Sequence, residues 1–427
     1  MSKTHQPFAG MRRNISRLAS GAIVSQVLMV VSTPLLTRIF NPEAFGVLAA
    51  FAASYAIAIP ITTLKYDAAI ILPKGTSSAI SLTALVVFVA SAIVLLVSGL
   101  LGLANWMSLL PDVHEANLWL PLALWFGALY TLTQQWSARQ SDYKHFARSQ
   151  VIGIVLNICT SMTLGLIYGG QPLHLVLGFV FGMLGSLIYM ILSQSNKIQC
   201  KFRFKITRLL RRAKVYRQFP VLVLPSTLLM SIGQNSIPLV LSAYYALGDV
   251  GQFAIANRLL LVPAALIGGA LGESFRSEFV RRHRERLGVT SLFNKTLRTL
   301  AVLAIPMFGI LFVVAPWLFS IIFSAKYEEA GHVSRAVLIG VAAQFIAIPF
   351  ACVFVTLRQS AIGLRVHIVT TLVPLALLWG SAALQLQMII SLLVYSAATV
   401  LCMAMMLIIT QRLCHTSDGM IKIKTPS

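Results

Sequence analysis

One charged side chain inside an apolar stretch, Arg258, is the strongest candidate for chemistry in this sequence. It lies about eight residues inside the apolar run 250–275. A charge at membrane depth costs about 3 kcal/mol even on lenient scales, so it usually faces protein or water and serves a function. A planar guanidinium pairs bidentately with phosphate oxygens. Arg258 therefore indicates either an anion-binding residue in a cavity or a side chain that reaches outward to the interface or to a neighbouring carbonyl.

Four further polar residues lie at the ends of apolar runs or beside Arg258. Arg38 ends the first run, Lys65 and Asp67 follow the second run, and Asn257 precedes Arg258. Arg38 is either an interfacial anchor or a ligand contact, and Lys65 is either an anchor paired locally with Asp67 or part of a binding site. We take Arg258, Lys65, Arg38 and Asn257 as candidate binding residues, and Asp67 as a candidate for ion coupling or gating.

The small number of acidic residues, and their absence from the middle of the apolar runs, favours an anionic ligand. The chain has 12 Asp and Glu residues against 34 Lys and Arg, and no acid lies clearly in the middle of an apolar run. A site for cations would need carboxylates at that depth. The sequence also lacks HExxH, the P-loop pattern, CxxC and paired external carboxylates. It therefore predicts no catalytic residue, no metal and no cofactor.

The elements that carry these residues are apolar runs long enough to cross a bilayer as helices. With 57% hydrophobic and only 11% charged residues, the composition lies outside the range of soluble domains. We predict an all-α polytopic membrane protein with about 12 transmembrane helices. The runs cover 15–37, 44–64, 79–104, 117–136, 149–168, 172–194, 219–245, 250–275, 297–315, 333–357, 361–383 and 388–410.

Lys and Arg crowd into every second gap between these runs. The opposite gaps hold three cations and six acids: Arg38, Lys326 and Arg335 with Glu43, Asp112, Glu115, Asp249, Glu328 and Glu329. Basic loops are retained on the cytoplasmic side during insertion, so both termini are predicted to be cytoplasmic in the inner membrane. The net charge of +22 follows from this topology and has anionic lipid headgroups as its counter-surface, with no need for nucleic acid.

A weak internal repeat divides the chain. PLLTRIFNPEAFG begins at Pro34 and PLVLSAYYALGDVG begins at Pro238, each in the first two runs of one half. Because six runs separate the copies, they share one orientation, as in parallel-repeat transporters. We predict an N-terminal lobe at 1–195, a basic cytoplasmic linker at 196–218 and a C-terminal lobe at 219–427, with six helices in each lobe.

Several stretches resemble the bacterial polysaccharide flippases of the multidrug/oligosaccharidyl-lipid/polysaccharide exporter superfamily. They are SQVLMVVSTPLLTRIFNPEAFGVLAAF, LKYDAAIILPK, GDVGQFAIANRLLLVPAALIGGALGESF and FSAKYEEAGHV. The resemblance implies two lobes around a central cavity that work by alternating access. The implied cargo is an undecaprenyl-pyrophosphate-linked oligosaccharide of the O-antigen or exopolysaccharide type, turned from the inner to the outer leaflet. A monomer that works beside a polysaccharide polymerase and chain-length machinery is the expected setting.

Two other functions remain open at this point. A multidrug or cation antiporter of the same superfamily would share the fold, but it needs cavity carboxylates that this sequence lacks. An integral-membrane polymerase or ligase would share the lipid-linked substrate, but such enzymes usually carry a sizeable external loop. The longest external gap here is the short segment of about 316–332.

Overall fold

The computed structural model describes residues 6–106, 115–194, 206–323 and 325–424, and these residues are helical almost throughout. The first ten residues of the predicted linker, 196–205, lie outside this described part. The helices are α1 (Gln6–Ile39), α2 (Pro42–Thr63), α3 (Thr76–Trp106), α4 (Leu120–Gln140), α5 (Tyr143–Tyr168), α6 (Pro172–Gln194), α7 (Ile206–Val215), α8 (Leu224–Tyr244), α9 (Leu247–Arg284), α10 (Thr290–Ile322), α11 (Glu328–Ala347), α12 (Cys352–Thr356), α13 (Ser360–Ala383) and α14 (Met388–Lys424). Short 3₁₀ segments cover Tyr66–Ile71, Glu115–Trp119, Ala325–Tyr327 and Ile348–Ala351, and a π-helical turn covers Phe219–Val223.

Each predicted span coincides with one described helix or with consecutive helical segments, which confirms the all-α polytopic class. Nine described helices are long and apolar enough to cross a membrane, and a tenth is added if the bent pair Thr207–Val215 and Phe219–Tyr244 counts as one span. The two members of this pair meet at 50°. The outward surfaces of the candidate spans carry apolar side chains, as contact with lipid requires. For example, Leu95 on α3 and Ile305 on α10 are 71% and 73% exposed.

Local sequence explains where the second helix begins and ends. Pro42 opens α2 with its fixed φ, and Glu43 lies in the first turn, where an acid is stabilised by the helix dipole. Leu64 and Lys65 both adopt the left-handed conformation, at φ 46° and 59°. Two consecutive left-handed residues without glycine stop the helix and turn the chain into the 3₁₀ segment Tyr66–Ile71.

The chain divides into two compact units, Met1–Asn235 and Ser236–Ser427, and the division lies inside α8. In the first unit α5 and α6 pack at close range. A Cβ added at Gly153 would collide with Ser186, one at Gly178 with Ser161, and one at Gly182 with the backbone of Gly153. Glycines four residues apart thus bring the two helix backbones together, as small residues do in membrane helix pairs.

One end of the first unit is tied together by the Tyr66–Ile71 segment. Arg139 at the end of α4 donates to the carbonyl oxygens of Ile70 and Lys74, at 3.0 and 3.3 Å. The Tyr66 hydroxyl donates to the carbonyl oxygen of Ala213 on α7, at 3.3 Å. Arg212 on α7 also donates to Ser78 at 2.8 Å. The gaps after α2 and α4 and the described part of the linker therefore meet at this end.

The second unit is built on α9, α10, α11, α13 and α14. Phe275, Phe350 and Phe293 form a buried aromatic stack, with ring centroids 4.9 and 4.4 Å apart. At one end, the Asp418 carboxylate on α14 accepts the backbone N–H groups of Val289 and Thr290, at 2.8 and 3.0 Å. This side chain caps the first turn of α10, whose N–H groups have no partner within the helix.

Candidate functional site

A cavity lined by both apolar and uncharged polar side chains lies in the first unit. Its volume is about 470 Å³, and helices α1, α2, α4, α5 and α6 all contribute to its wall. This size falls within the range of about 300–1,000 Å³ that is usual for small-molecule sites. The polar residues that line it are Ser25, Gln26, Tyr55, Tyr130, Thr131, Gln134, Gln150, Asn157 and Ser186. At its rim on α1, Ala22 and Gln26 are exposed.

Glycines in the surrounding helices shape this cavity. Gly127 on α4 leaves the space that the hydroxyl end of Tyr55 occupies, because a Cβ at position 127 would collide with it. The Tyr55 ring packs edge-on against Phe179 on α6, with 5.4 Å between the ring centroids. Tyr130 shares a hydrogen bond of 3.0 Å with Ser149 on α5. The packing of these helices therefore holds two aromatic rings and their hydroxyl groups at the cavity wall.

The chemistry of the cavity is that of neutral hydrogen bonding. None of the described residues that line it is Asp, Glu, Lys, Arg or His. Ser25 Oγ and Gln150 Oε1, which belong to two lining residues, are shielded from solvent and have no hydrogen-bond partner among the described residues. An unsatisfied buried polar atom costs about 1–3 kcal/mol, so such atoms in native proteins call for a ligand or an ordered water.

Lys65 and Asp67 lie together just after α2. Lys65 is half-buried in its left-handed conformation, and Asp67 is fully buried. Asp67 Oδ1 accepts a hydrogen bond of 2.6 Å from Thr63, and its Oδ2 has no hydrogen-bond partner among the described residues. Within the described part of the chain, Asp67 pairs with this hydroxyl and not with the Lys65 ammonium.

Arg38 lies at the opposite end of α2 from Lys65. It is exposed in the last turn of α1, where a cation interacts favourably with the helix dipole. The 22 residues of α2 separate the two cations. At 1.5 Å per residue this is about 33 Å, so no single headgroup touches both at once.

Arg258 and Asn257 lie on α9 in the second unit, and both side chains are half-buried. They are consecutive on the helix, so their side chains leave it about 100° apart. Buried neighbours on the same helix include Ile255, Ala256 and Leu260. The described residues contain no group of three His, Cys, Asp or Glu side chains that could hold a metal ion.

Comparison with known sequences decides the family. The sequence profile described as "Polysaccharide biosynthesis protein" matches residues 35–332, well over half of the chain. The chain belongs to this polysaccharide biosynthesis family. The match begins within α1 and ends within α11, so it includes all five predicted site residues. A comparison with curated proteins finds no significant match.

Solved structures show the same fold at low sequence identity. The lipid II flippase MurJ in an inward-closed conformation is 15% identical, covers 95% of this chain and 91% of its own, and has a TM-score of 0.73. An inward-facing multidrug resistance MATE family transporter of the MOP superfamily is 10% identical, with coverages of 94% and 96% and a TM-score of 0.68. A MOP superfamily transporter from Pyrococcus furiosus, described as having a binding pocket of reverse polarity, is 12% identical, with coverages of 99% and 100% and a TM-score of 0.56. The chain therefore shares the fold of these flippase and transporter structures.

None of the five residues predicted from the sequence lines this cavity. Gln134, a polar residue inside the predicted span 117–136, does line it. Tyr55 on α2 and Gln150 and Asn157 on α5 give no signal of their own, because neutral polar residues occur in membrane helices for many reasons. Only the packing of α2, α4, α5 and α6 brings them together.

Proposed function

We propose that this protein is a flippase that moves an undecaprenyl-pyrophosphate-linked oligosaccharide from the inner to the outer leaflet of the cytoplasmic membrane by alternating access. The observation that carries the proposal is the combination of a polysaccharide biosynthesis family match over residues 35–332 with a transporter fold shared by a lipid II flippase. A member of such a family with such a fold is expected to move a lipid-linked glycan. The product would supply a polymerase and its chain-length partners at the outer face.

The predicted site residues take successive roles in this proposal. Lys65 attracts the pyrophosphate at the cytoplasmic mouth, and Arg258 with Asn257 replaces part of its hydration within the membrane. Arg38 contacts the headgroup at the outer face. The 22 residues of α2 between Arg38 and Lys65 are enough to cross a bilayer, so the two cations would lie at opposite faces of the membrane. Asp67, a buried carboxylate whose Oδ2 has no hydrogen-bond partner among the described residues, is proposed to couple or gate the movement.

Within each unit, contacts between loops bring together gaps that the charge pattern assigns to the same side of the membrane. In the first unit, the Tyr66–Ile71 segment contacts Arg139 at the end of α4 and the carbonyl oxygen of Ala213 on α7. In the second unit, Asp418 on α14 contacts the loop before α10. These are the basic gaps that the charge pattern assigns to the cytoplasm. At the acidic ends, the Gln252 side chain on α9 donates to the carbonyl oxygen of Lys326 before α11 and accepts from the N–H of Ala330 in the first turn of α11.

The alternatives are less well supported. A cation or drug antiporter would need ionised carboxylates for its ligand, but the described lining of the first-unit cavity contains none. An O-antigen polymerase or ligase would act on the same lipid-linked glycans. It is disfavoured because the solved structures with this fold are transporters and a flippase.

The test is depletion of the protein in its own host, followed by mass spectrometry of the lipid-linked oligosaccharides on each leaflet. We expect fully assembled repeat units to accumulate on the cytoplasmic leaflet, and the wild-type protein to release them when it is restored. Repeat units that reach the outer leaflet but fail to polymerise would contradict the proposal and favour the enzyme.

A further inference from the structure

We infer that the first-unit cavity is a sugar-binding site that takes a neutral sugar residue of the cargo and discriminates against acidic sugars. The inference rests on the proposed function and adds a substrate class to it. The cavity is distinct from Arg258 and Lys65, the two residues proposed to bind the pyrophosphate, because neither lines it.

The hydrogen-bonding groups of the cavity match a sugar. Each sugar hydroxyl is both a donor and an acceptor, and a site for several hydroxyls needs both kinds of group in a small volume. Side-chain amides supply both, as do Ser and Tyr hydroxyls. The cavity wall holds the amides of Gln26, Gln134, Gln150 and Asn157 beside several hydroxyl groups.

Two lining residues carry a polar atom that a ligand could satisfy. Ser25 on α1 and Gln150 on α5 line the cavity from different helices. Ser25 Oγ and Gln150 Oε1 are shielded from solvent and have no partner among the described residues. Rotation of either side chain towards the cavity would let a sugar hydroxyl give the atom a partner and remove the cost of its burial.

The shape of the wall also suits a sugar ring. Tyr55 and Phe179 present aromatic rings to the cavity, and Ile59, Ile154 and Met183 add apolar surface. The C–H face of a pyranose ring is apolar and packs on such surfaces, while its hydroxyl edge meets the amides. An apolar wall with a few convergent polar groups is the usual composition of a ligand site.

The absence of charge from the described lining gives the selectivity. A uronic acid or phosphorylated sugar would bring an anion into a space where no described lining residue is Lys, Arg or His. Burying an unpaired charge is costly, so the acidic cargo is expected to bind less well than a neutral one of similar size. Neutral groups likewise provide no ionised ligand to hold a cation.

The experiment uses the purified full chain in proteoliposomes with three carriers. They are undecaprenyl pyrophosphate bearing N-acetylglucosamine, the same lipid bearing glucuronic acid, and the sugar-free lipid. We expect the wild type to move the neutral glycolipid at least about ten-fold faster than the acidic one. Gln150→Leu should slow the neutral glycolipid about five-fold, the usual effect of one lost hydrogen bond, and leave the sugar-free lipid unchanged.

Gln140→Leu is the matched control. Gln140 Oε1 is also buried without a partner among the described residues, but Gln140 does not line the cavity. This variant should keep the wild-type rates with all three carriers. Ser25→Ala is a second test that preserves folding, because it deletes an unpartnered hydroxyl, and it should also slow only the neutral glycolipid.

The outcomes separate the two proposals. A wild type that moves none of the three carriers contradicts the flippase function itself. A wild type that moves the acidic and neutral carriers equally well, with Gln150→Leu and Ser25→Ala unchanged, contradicts the sugar site and leaves the flippase standing. Equal slowing of the sugar-free lipid by Gln150→Leu also contradicts the sugar site.

Discussion

The polar side chains of the first-unit cavity are uncharged, whereas those of helix α9 in the second unit include many charged ones. The cavity gathers nine uncharged polar side chains from five helices and has no ionisable Asp, Glu, Lys, Arg or His in its described lining. Helix α9 carries Arg258 within the predicted membrane span and a network of exposed ion pairs around Glu278 at its C-terminal end. One region hydrogen-bonds without charge, while the other carries charge along a single helix.

This difference suggests how one protein could recognise a cargo with two chemically different parts. A pyrophosphate is bound by cationic side chains, whereas a neutral glycan is bound by many hydrogen bonds to uncharged groups. Placing the glycan site away from Arg258 would let the glycan site vary while the phosphate contact on α9 is retained. The predictions below would break or sharpen this division.

The largest effect is expected from Arg258. Arg258→Ala should lower the rate of transport in proteoliposomes about ten- to a hundred-fold, because charged hydrogen bonds contribute about 1.5–3 kcal/mol. Arg258→Lys should recover part of the rate, since it keeps the charge but loses the bidentate geometry. Arg284→Ala, at an exposed position on the same helix, is the control. Normal transport by a folded Arg258→Ala protein would remove the phosphate role from α9.

The next effect concerns the space that Gly127 provides. Gly127→Ala should push the Tyr55 hydroxyl from its position and lower the free energy of unfolding by about 1–3 kcal/mol, the usual cost of overpacking. Thermal unfolding in detergent measures it. Gly99→Ala on α3 is the matched control, because a Cβ there meets nothing within 4 Å and alanine is the better helix former. Equal stability of the two variants would mean that the cavity wall is not tightly shaped.

Asp67 tests whether a charge in the first unit also matters. Asp67→Ala should cost about 1–3 kcal/mol of stability, because the buried Thr63 hydroxyl loses the acceptor of its hydrogen bond. Asp67→Asn keeps a carbonyl acceptor, so it should fold nearly normally and transport several-fold more slowly if an ionised carboxylate couples the movement. Unchanged transport by the asparagine variant would restrict Asp67 to a structural role.

The smallest effect is the pH response of the ion pairs on α9. Hydrogen bonds from Arg281 and Arg282 lower the pKa of Glu278 from 4.5 to about 2. Because the folded pKa is depressed, the stabilising contribution is present above pH 4.5 and is lost as the pH falls towards 2. Exposed pairs contribute little, so Glu278→Gln should lower Tm only slightly at pH 7 and not at all near pH 2. A difference that grows on acidification would contradict this sign.

The sequence predicted the helices well where apolar length alone decides them. The predicted span 172–194 coincides with α6, between Pro172 and the end of the apolar run. It did not predict that α7 is a separate helix docked by Arg212 and Ala213, since a short basic segment has no apolar run. It also missed the break at Ile348–Ala351, where Pro349 interrupts the helical hydrogen bonds.

Only the charged candidates were conspicuous in the sequence. Arg258 and Asp67 stand out because charges are rare in apolar sequence, and the structure places Arg258 half-buried on α9 and Asp67 fully buried after α2. The cavity was not predictable, since Ser, Gln and Tyr occur in membrane helices for many reasons. Its existence depends on which helix faces meet, and one sequence does not contain that information.

The contact of Asp418 with the start of α10 has a practical consequence for reporters of topology. Asp418 lies close to the end of α14 and holds the first turn of α10 through two backbone N–H groups. A fluorescent protein or protease site attached after Lys424 leaves this cap in place. Truncating the chain before Asp418 removes the cap and leaves the backbone N–H groups of Val289 and Thr290 without that acceptor. The truncated protein is then expected to misfold, and the signal of its reporter would be mistaken for an inverted topology. Reporters should therefore follow residue 424.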